Sequence, residues 1–154
     1  MSMEEDAFAR LGPWRDYRTD YAGAVAIPVD PMGRVLLQLR DGAAPVHPLE
    51  WGLFGGEVEK GESLAEGMIR EFEEETGLRP PAAAFRPFAR IVSPGSRRRL
   101  YAFTVKLAAA PEAIRLGEGA GFAFVEPKQV MRFELLAATR VLLAAWLARG
   151  GGAG

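Results

Sequence analysis

The sequence predicts an α+β fold in which helices cover a mixed sheet, and three observations carry that expectation. Short apolar, β-branched runs alternate with Pro and Gly punctuation, two stretches have helical periodicity, and 49% of the 154 residues are apolar. That apolar content is enough for a continuous core without covalent staples.

The elements can be taken in chain order. Ala22 to Val29 is apolar and β-branched enough for a strand, Pro31-Met32-Gly33 punctuates, and Val35 to Leu39 follows as a second strand, so the pair reads as a hairpin. Asp41 to Pro48 contains two prolines and a glycine and is expected to be a loop. Trp51 to Phe54 is a strand that should run into a glycine turn at Gly55-Gly56. Phe85 to Val92 and Leu100 to Leu107 make two further strands around a turn at Pro94-Gly95, and Phe122 to Val125 makes a short one. Phe133 to Ala148 is rich in Ala and Leu and reads as a helix burying one face. A single domain over residues 1–149 with a flexible glycine-rich tail at 150–154 is the expected organisation.

Composition removes several function classes. There is no cysteine, which excludes disulfides, thiolate metal sites and a cysteine nucleophile. A net charge of −1 argues against nucleic-acid binding through a broad basic field. No apolar stretch approaches the roughly 20 residues a membrane span requires, and the acidic start lacks a secretory pattern. The expectation is a cytoplasmic protein with a small-molecule partner, no nucleic acid and no membrane. A homodimer is compatible with the sequence.

The informative segment is Gly55 to Pro80. Ser63 and Glu66 have capping-box spacing and place a helix start, while Gly77 and Pro80 place its end. At ~100° per residue, Ala65, Met68, Ile69 and Phe72 share a stripe that faces the sheet. Glu71, Glu74 and Glu75 share an adjacent one. Gly67 lies on that acidic stripe one turn earlier and is expected to leave open space. Glu73 points into solvent. As architecture this is poor: like charges three and four apart repel, and the helix dipole disfavours anions at its C-terminal end. Oxygen ligands clustered in this way suit a hard divalent cation, Mg²⁺ or Mn²⁺, although an acidic solvated face is the plain alternative.

The flanking residues complete a pattern. Gly56, Glu62, Arg70, Glu71, Phe72, Glu74, Glu75, Gly77 and Leu78 resemble the Nudix box, Gly-x5-Glu-x7-Arg-Glu-U-x-Glu-Glu-x-Gly-U, with every spacing kept. The resemblance implies an α/β/α sandwich around a mixed sheet and a hydrolase that attacks the phosphorus of a diphosphate with water. It implies Glu71, Glu74 and Glu75 as cation ligands, assisted by the Gly56 carbonyl, with Glu62 and Arg70 as the pair bracing them. The general base in such enzymes comes from the box or a later loop, and Glu118, between Gly117 and Gly119, is the loop candidate.

Other residues keep two readings. His47 could touch substrate or be structural. Trp51 and Phe54 could stack on a base or fill the core. The Arg97-Arg98-Arg99 run could pair with phosphate oxygens, Arg98 being the substrate candidate, or simply charge a hairpin tip. Pro94, sixteen positions beyond Leu78, is similar to a proline in ADP-ribose-cleaving members of the family. It favours a nucleotide sugar over a nucleoside triphosphate. A non-catalytic ligand-binding module of the same fold remains as a further alternative.

Overall fold

The computed structural model of the protein describes residues 2–40, 49–108, 114 and 121–151. The Asp41–Pro48 loop, His47, Glu118 and the last three tail positions lie outside the described residues. The elements run α1 (Ser2–Glu5), β1 (Ala9–Arg10), β2 (Ala22–Val29), β3 (Val35–Leu39), β4 (Trp51–Gly52), β5 (Phe54–Glu57), α2 (Leu64–Thr76), a 3-10 turn (Ala82–Ala84), β6 (Phe85–Val92), β7 (Arg99–Lys106), β8 (Gly121–Val125), α3 (Pro127–Val130) and α4 (Ala137–Ala148).

β2 is the axis of a mixed sheet. Along its whole length it pairs parallel with β7, from Ala22↔Arg99 to Val29↔Lys106. Its other edge is shared: Gly23 to Ala26 pair antiparallel with β5, and Val29 pairs with Val35 of β3. β3 continues the sheet to β8 and β4, while β6 and then β1 extend it beyond β7. Because both faces are covered, the strands are near-continuous apolar runs. Alternate residues divide between the two sides. Ala24, Ala26, Leu36, Phe54, Tyr101 and Phe103 pack with Leu64, Met68 and Phe72 of α2. Ile27, Val35, Leu37 and Val125 pack with Leu143 and Trp146 of α4, and Ala89, Ile91 and Ala102 with Leu142. The α/β/α sandwich is therefore present.

Two expectations need correction. The last helix begins at Ala137, not Phe133. The preceding residues stay extended because the Trp51 backbone takes their hydrogen bonds: Trp51 N–H donates to Glu134 O at 2.7 Å and Leu136 N–H to Trp51 O at 2.9 Å. Gly55 and Gly56 form no turn and lie inside β5, paired with Val25 and Ala24. A Cβ at Gly55 would strike the Ala24 carbonyl oxygen, so the sheet itself requires a glycine there. At the other end of the chain, Gly150 at φ 86° closes α4, with its N–H on Leu147 O at 3.1 Å.

Candidate functional site

Helix α2 is pinned at both ends. The Ser63 hydroxyl accepts from Glu66 N–H at 3.0 Å, and Glu66 Oε1 accepts from Ser63 N–H at 2.8 Å, completing the expected capping box. Glu4 of α1, sixty residues away in sequence, accepts from Leu64 N–H at 2.9 Å and Ala65 N–H at 3.4 Å. Gly67 N–H reaches Ser63 O at 3.0 Å, so each of the first four helix N–H groups has an acceptor. At the far end Gly77 adopts φ 75° and donates to Glu73 O at 2.8 Å, the left-handed stop its type permits. Met68 and Phe72 are fully buried beneath the helix; burying a Phe side chain contributes about 2–3 kcal/mol. The register of the acidic stripe is thus set by both caps and core.

Arg70 is the hub of that stripe. Its Nε and Nη2 donate to Glu62 at 2.7 and 2.9 Å, in the bidentate geometry suited to a guanidinium. Nη2 also reaches Glu57 O at 3.1 Å, while Nη1 donates to Glu71 at 2.9 Å and to Glu74 at 3.4 Å. Glu62 in turn accepts from Glu59 N–H at 2.8 Å. One side chain therefore ties the loop before α2 to the helix. The Arg70 hydrogen bond, with the Glu59 N–H behind it, holds the Glu62 carboxyl below its ordinary range. The Glu62 hydrogen bond likewise holds Arg70 more firmly protonated than usual.

The box acids occupy graded environments. Glu75 is buried at 6% exposure, the Glu71 side chain is mostly covered and that of Glu74 is more than half exposed. Glu71 lies directly against Gly56, where an added Cβ would fall 2.5 Å from the carboxyl carbon. As the side chains stand, no three acidic groups among the described residues are arranged to hold a metal ion; Glu62, Glu71 and Glu74 turn towards Arg70 instead. The donors are nevertheless all carboxylate oxygens, the chemistry a hard divalent cation takes. Gly56 leaves the space beside Glu71 that a side chain would fill. The residues fit such an ion.

Gly67 and Phe54 are packed in the interior rather than open to a ligand. Gly67 does not open space, since its Cα is covered by Val58 and Glu62, at 3.1 and 3.3 Å from a built Cβ. Phe54 is fully buried edge-on to Phe72, with ring centroids 6.0 Å apart, so it offers no face to a base. Trp51 is half-buried against Phe133 at 5.2 Å, in the core of the α4 side. Glu73 pairs with Arg79 at the surface.

On that α4 side, a cavity of about 730 Å³ lies between the β6–β7 tip and the start of α4, lined by Tyr21, Arg40, Ser93 to Ser96, Arg98, Leu100 and Leu136 to Ala138. Arg98 and Pro94 are both in its wall. Arg99 is not; it donates to Tyr21 O at 3.2 Å and Thr19 O at 3.3 Å and so ties down the segment before β2. Tyr21 and Arg40 were not singled out by sequence, which carries no local signal for either. Burial raises the Tyr21 phenol, with Arg98 opposing and Glu57 and Glu71 adding to the shift.

The NUDIX domain family model matches residues 20–147. The chain belongs to the Nudix family. Its enzyme class is therefore pyrophosphohydrolase, and Nudix hydrolases generally use divalent metal ions. Among solved structures, the chain is similar to a MutT protein from Methanosarcina mazei Go1, at 22% identity and TM-score 0.63 over 90% of this chain and 98% of that one. A MutT/Nudix family protein from Listeria innocua matches at 21% identity and TM-score 0.67, over 86% of this chain and 96% of that one. The Nudix domain of Shewanella oneidensis NrtR, solved with ADP ribose, matches at 17% identity and TM-score 0.69, over 90% and 93%. At these identities the likeness is one of fold. No curated protein matches the sequence. Among the described residues no helix is long and apolar enough to cross a membrane.

Proposed function

We propose that this Nudix hydrolase splits the diphosphate linkage of a nucleoside diphosphate joined to a second moiety, a nucleotide sugar such as ADP-ribose, with Mg²⁺ or Mn²⁺ as cofactor. The observation that carries the reading is Glu71 seated against Gly56, beside buried Glu75 and braced by Arg70 and Glu62. Glu71, Glu74, Glu75 and the Gly56 carbonyl would hold the cation. What a bound cation supplies is neutralisation of the diphosphate and acidification of water. The chain's residues do the remainder. Arg70 and Glu62 keep the acidic stripe in place, and the cavity wall, with Arg40 and Arg98, receives the anionic substrate. Water forms the new P–O bond, the bridging P–O bond breaks, and the water proton passes to a carboxylate, proposed here as Glu118.

The substrate preference is supported by Pro94 and Arg98 in the cavity wall, and by ADP ribose in the NrtR domain of the same fold. A panel of nucleotide sugars, dinucleoside polyphosphates and nucleoside triphosphates with Mg²⁺ tests it. Release of a nucleoside monophosphate from ADP-ribose, lost on chelation and restored by added Mg²⁺ or Mn²⁺, is expected. Full turnover after chelation would refute the cation requirement, and far more efficient turnover of triphosphates would refute the substrate.

A further inference from the structure

The arginine run at the β6–β7 tip divides its labour in a way the family resemblance does not describe. Arg97 occupies the left-handed region at φ 56°, a conformation that strains a non-glycine residue. The corner is held by Arg97 N–H on Ser93 O at 3.0 Å, Ser93 N–H on Arg98 O at 2.7 Å and Arg18 N–H on Arg97 O at 2.8 Å. Arg99 is spent on the Thr19 and Tyr21 carbonyls and on the Tyr17 ring. Arg98 is the one left facing the cavity, its guanidinium 4.6 Å from the Tyr21 ring centroid. Among the described residues it makes no ion pair.

Beneath that ring lies Gly23. A Cβ there would come within 2.9 Å of Tyr21 Cε1 and of Leu100, so the glycine in β2 is what lets the ring lie close to the sheet. Gly23, the Tyr21 ring and the Arg98 guanidinium therefore form a stack built outward from the central strand. A cation over an aromatic face is attracted by the ring's negative face. It also keeps its outward N–H groups available to an anion, since stacking does not consume them.

We propose that Tyr21 is a positioning and specificity residue that holds the Arg98 guanidinium against the sheet so that it binds a phosphate oxygen of the substrate in the cavity. This rests on the functional reading above. Asp20 is the nearby acid: Arg18 is the first cause holding its carboxyl down, with Arg98 a smaller one. Asp20 pairs with Arg18 at 2.8 Å, which leaves Arg98 for the ligand.

The test measures kcat, KM and, by calorimetry, affinity for ADP in wild type, Tyr21→Leu, Tyr21→Phe, Arg98→Ala and Tyr21→Leu/Arg98→Ala. Tyr21→Leu is expected to raise KM and weaken ADP binding by about 10-fold with kcat changed less than about 2-fold, within the range of one cation–π contact and the phosphate bond it orients. Tyr21→Phe retains the ring and is expected to restore affinity. The double variant should be no weaker than Arg98→Ala, because Tyr21 acts through Arg98. Unchanged KM and ADP affinity in folded Tyr21→Leu, or a further loss in the double variant, would overturn the role. A wild type that turns over no diphosphate substrate refutes the functional reading, while ADP affinity still decides Tyr21; absence of ADP binding by wild type counts against both.

Discussion

On the α2 face of the sheet, the acidic hub comes from one stretch of chain, Gly56 to Leu78, with its partners at helical spacing or in the adjoining loop. On the α4 face, the cavity draws Tyr21, Arg40, Ser93 to Ser96, Arg98 and Leu136 to Ala138 from stretches far apart in sequence. The first region is rigid by construction, capped at both ends and fastened by Arg70. The second is a junction of strand ends and a hairpin tip. In the proposed reaction the cation would be held by one helix, whose side chains keep a fixed mutual spacing, whereas loops around a scaffold are where substrate preference is set.

Breaking the reacting face should have the largest effect. Gly56→Ala places a Cβ against the Glu71 carboxyl, the mobile end of a side chain, so the fold should tolerate it while Glu71 moves. A displacement of about 1 Å at a reacting site can cost 10²-fold, and a loss of that order in kcat with a nearly unchanged Tm is expected. Activity near wild type would show that the contact between Glu71 and Gly56 has no catalytic value.

Glu118→Gln keeps size and removes proton-accepting power. Single-turnover rates should fall by about 10²-fold with little change in substrate affinity; a rate near wild type returns the base role to the box acids.

A smaller effect separates bracing from chemistry. The folded Glu62 carboxyl titrates below its unfolded value of 4.5. Its contribution to stability is therefore fully present above about pH 4.5 and is lost as pH falls through the lower folded value. Glu62→Gln should flatten that acid limb in denaturant titrations, and an unaltered limb would contradict the pairing. Smallest is Ser63→Ala, which removes one side of the capping box at about 1 kcal/mol. Lower Tm with kcat retained is the expected outcome, because Glu4 still holds Leu64 and Ala65.

The same contrast explains what was legible beforehand. The bounds of α2 were readable because Ser63, Glu66 and Gly77 act through local hydrogen bonds, and the box was readable because its spacing is helical. β2, β3 and β6 were legible from apolar runs bounded by Pro and Gly. The late start of α4 was not, since the Trp51 backbone, distant in sequence, competes for Glu134 and Leu136. Nor were the short α1 and the use of Glu4 as a cap, which exist only through tertiary contact. Gly55 and Gly56 read as a turn by type, yet one clears the sheet and the other clears Glu71. Phe54 resolved to the core because strand alternation pointed it beneath α2.

The measurement that bears most directly on the division between the two faces is a paired comparison of Arg70→Ala and Arg98→Ala on one substrate, with kcat, KM and Mg²⁺ affinity determined for each. Loss of a side chain that braces metal ligands is on the order of 10- to 100-fold in activity and ion affinity. Arg70→Ala is therefore expected to lower kcat and Mg²⁺ affinity together, with KM little changed at saturating Mg²⁺. Arg98→Ala is expected to raise KM at nearly constant kcat and Mg²⁺ affinity. Arg70→Ala with normal rate and ion affinity, or Arg98→Ala acting chiefly on kcat, would contradict the account.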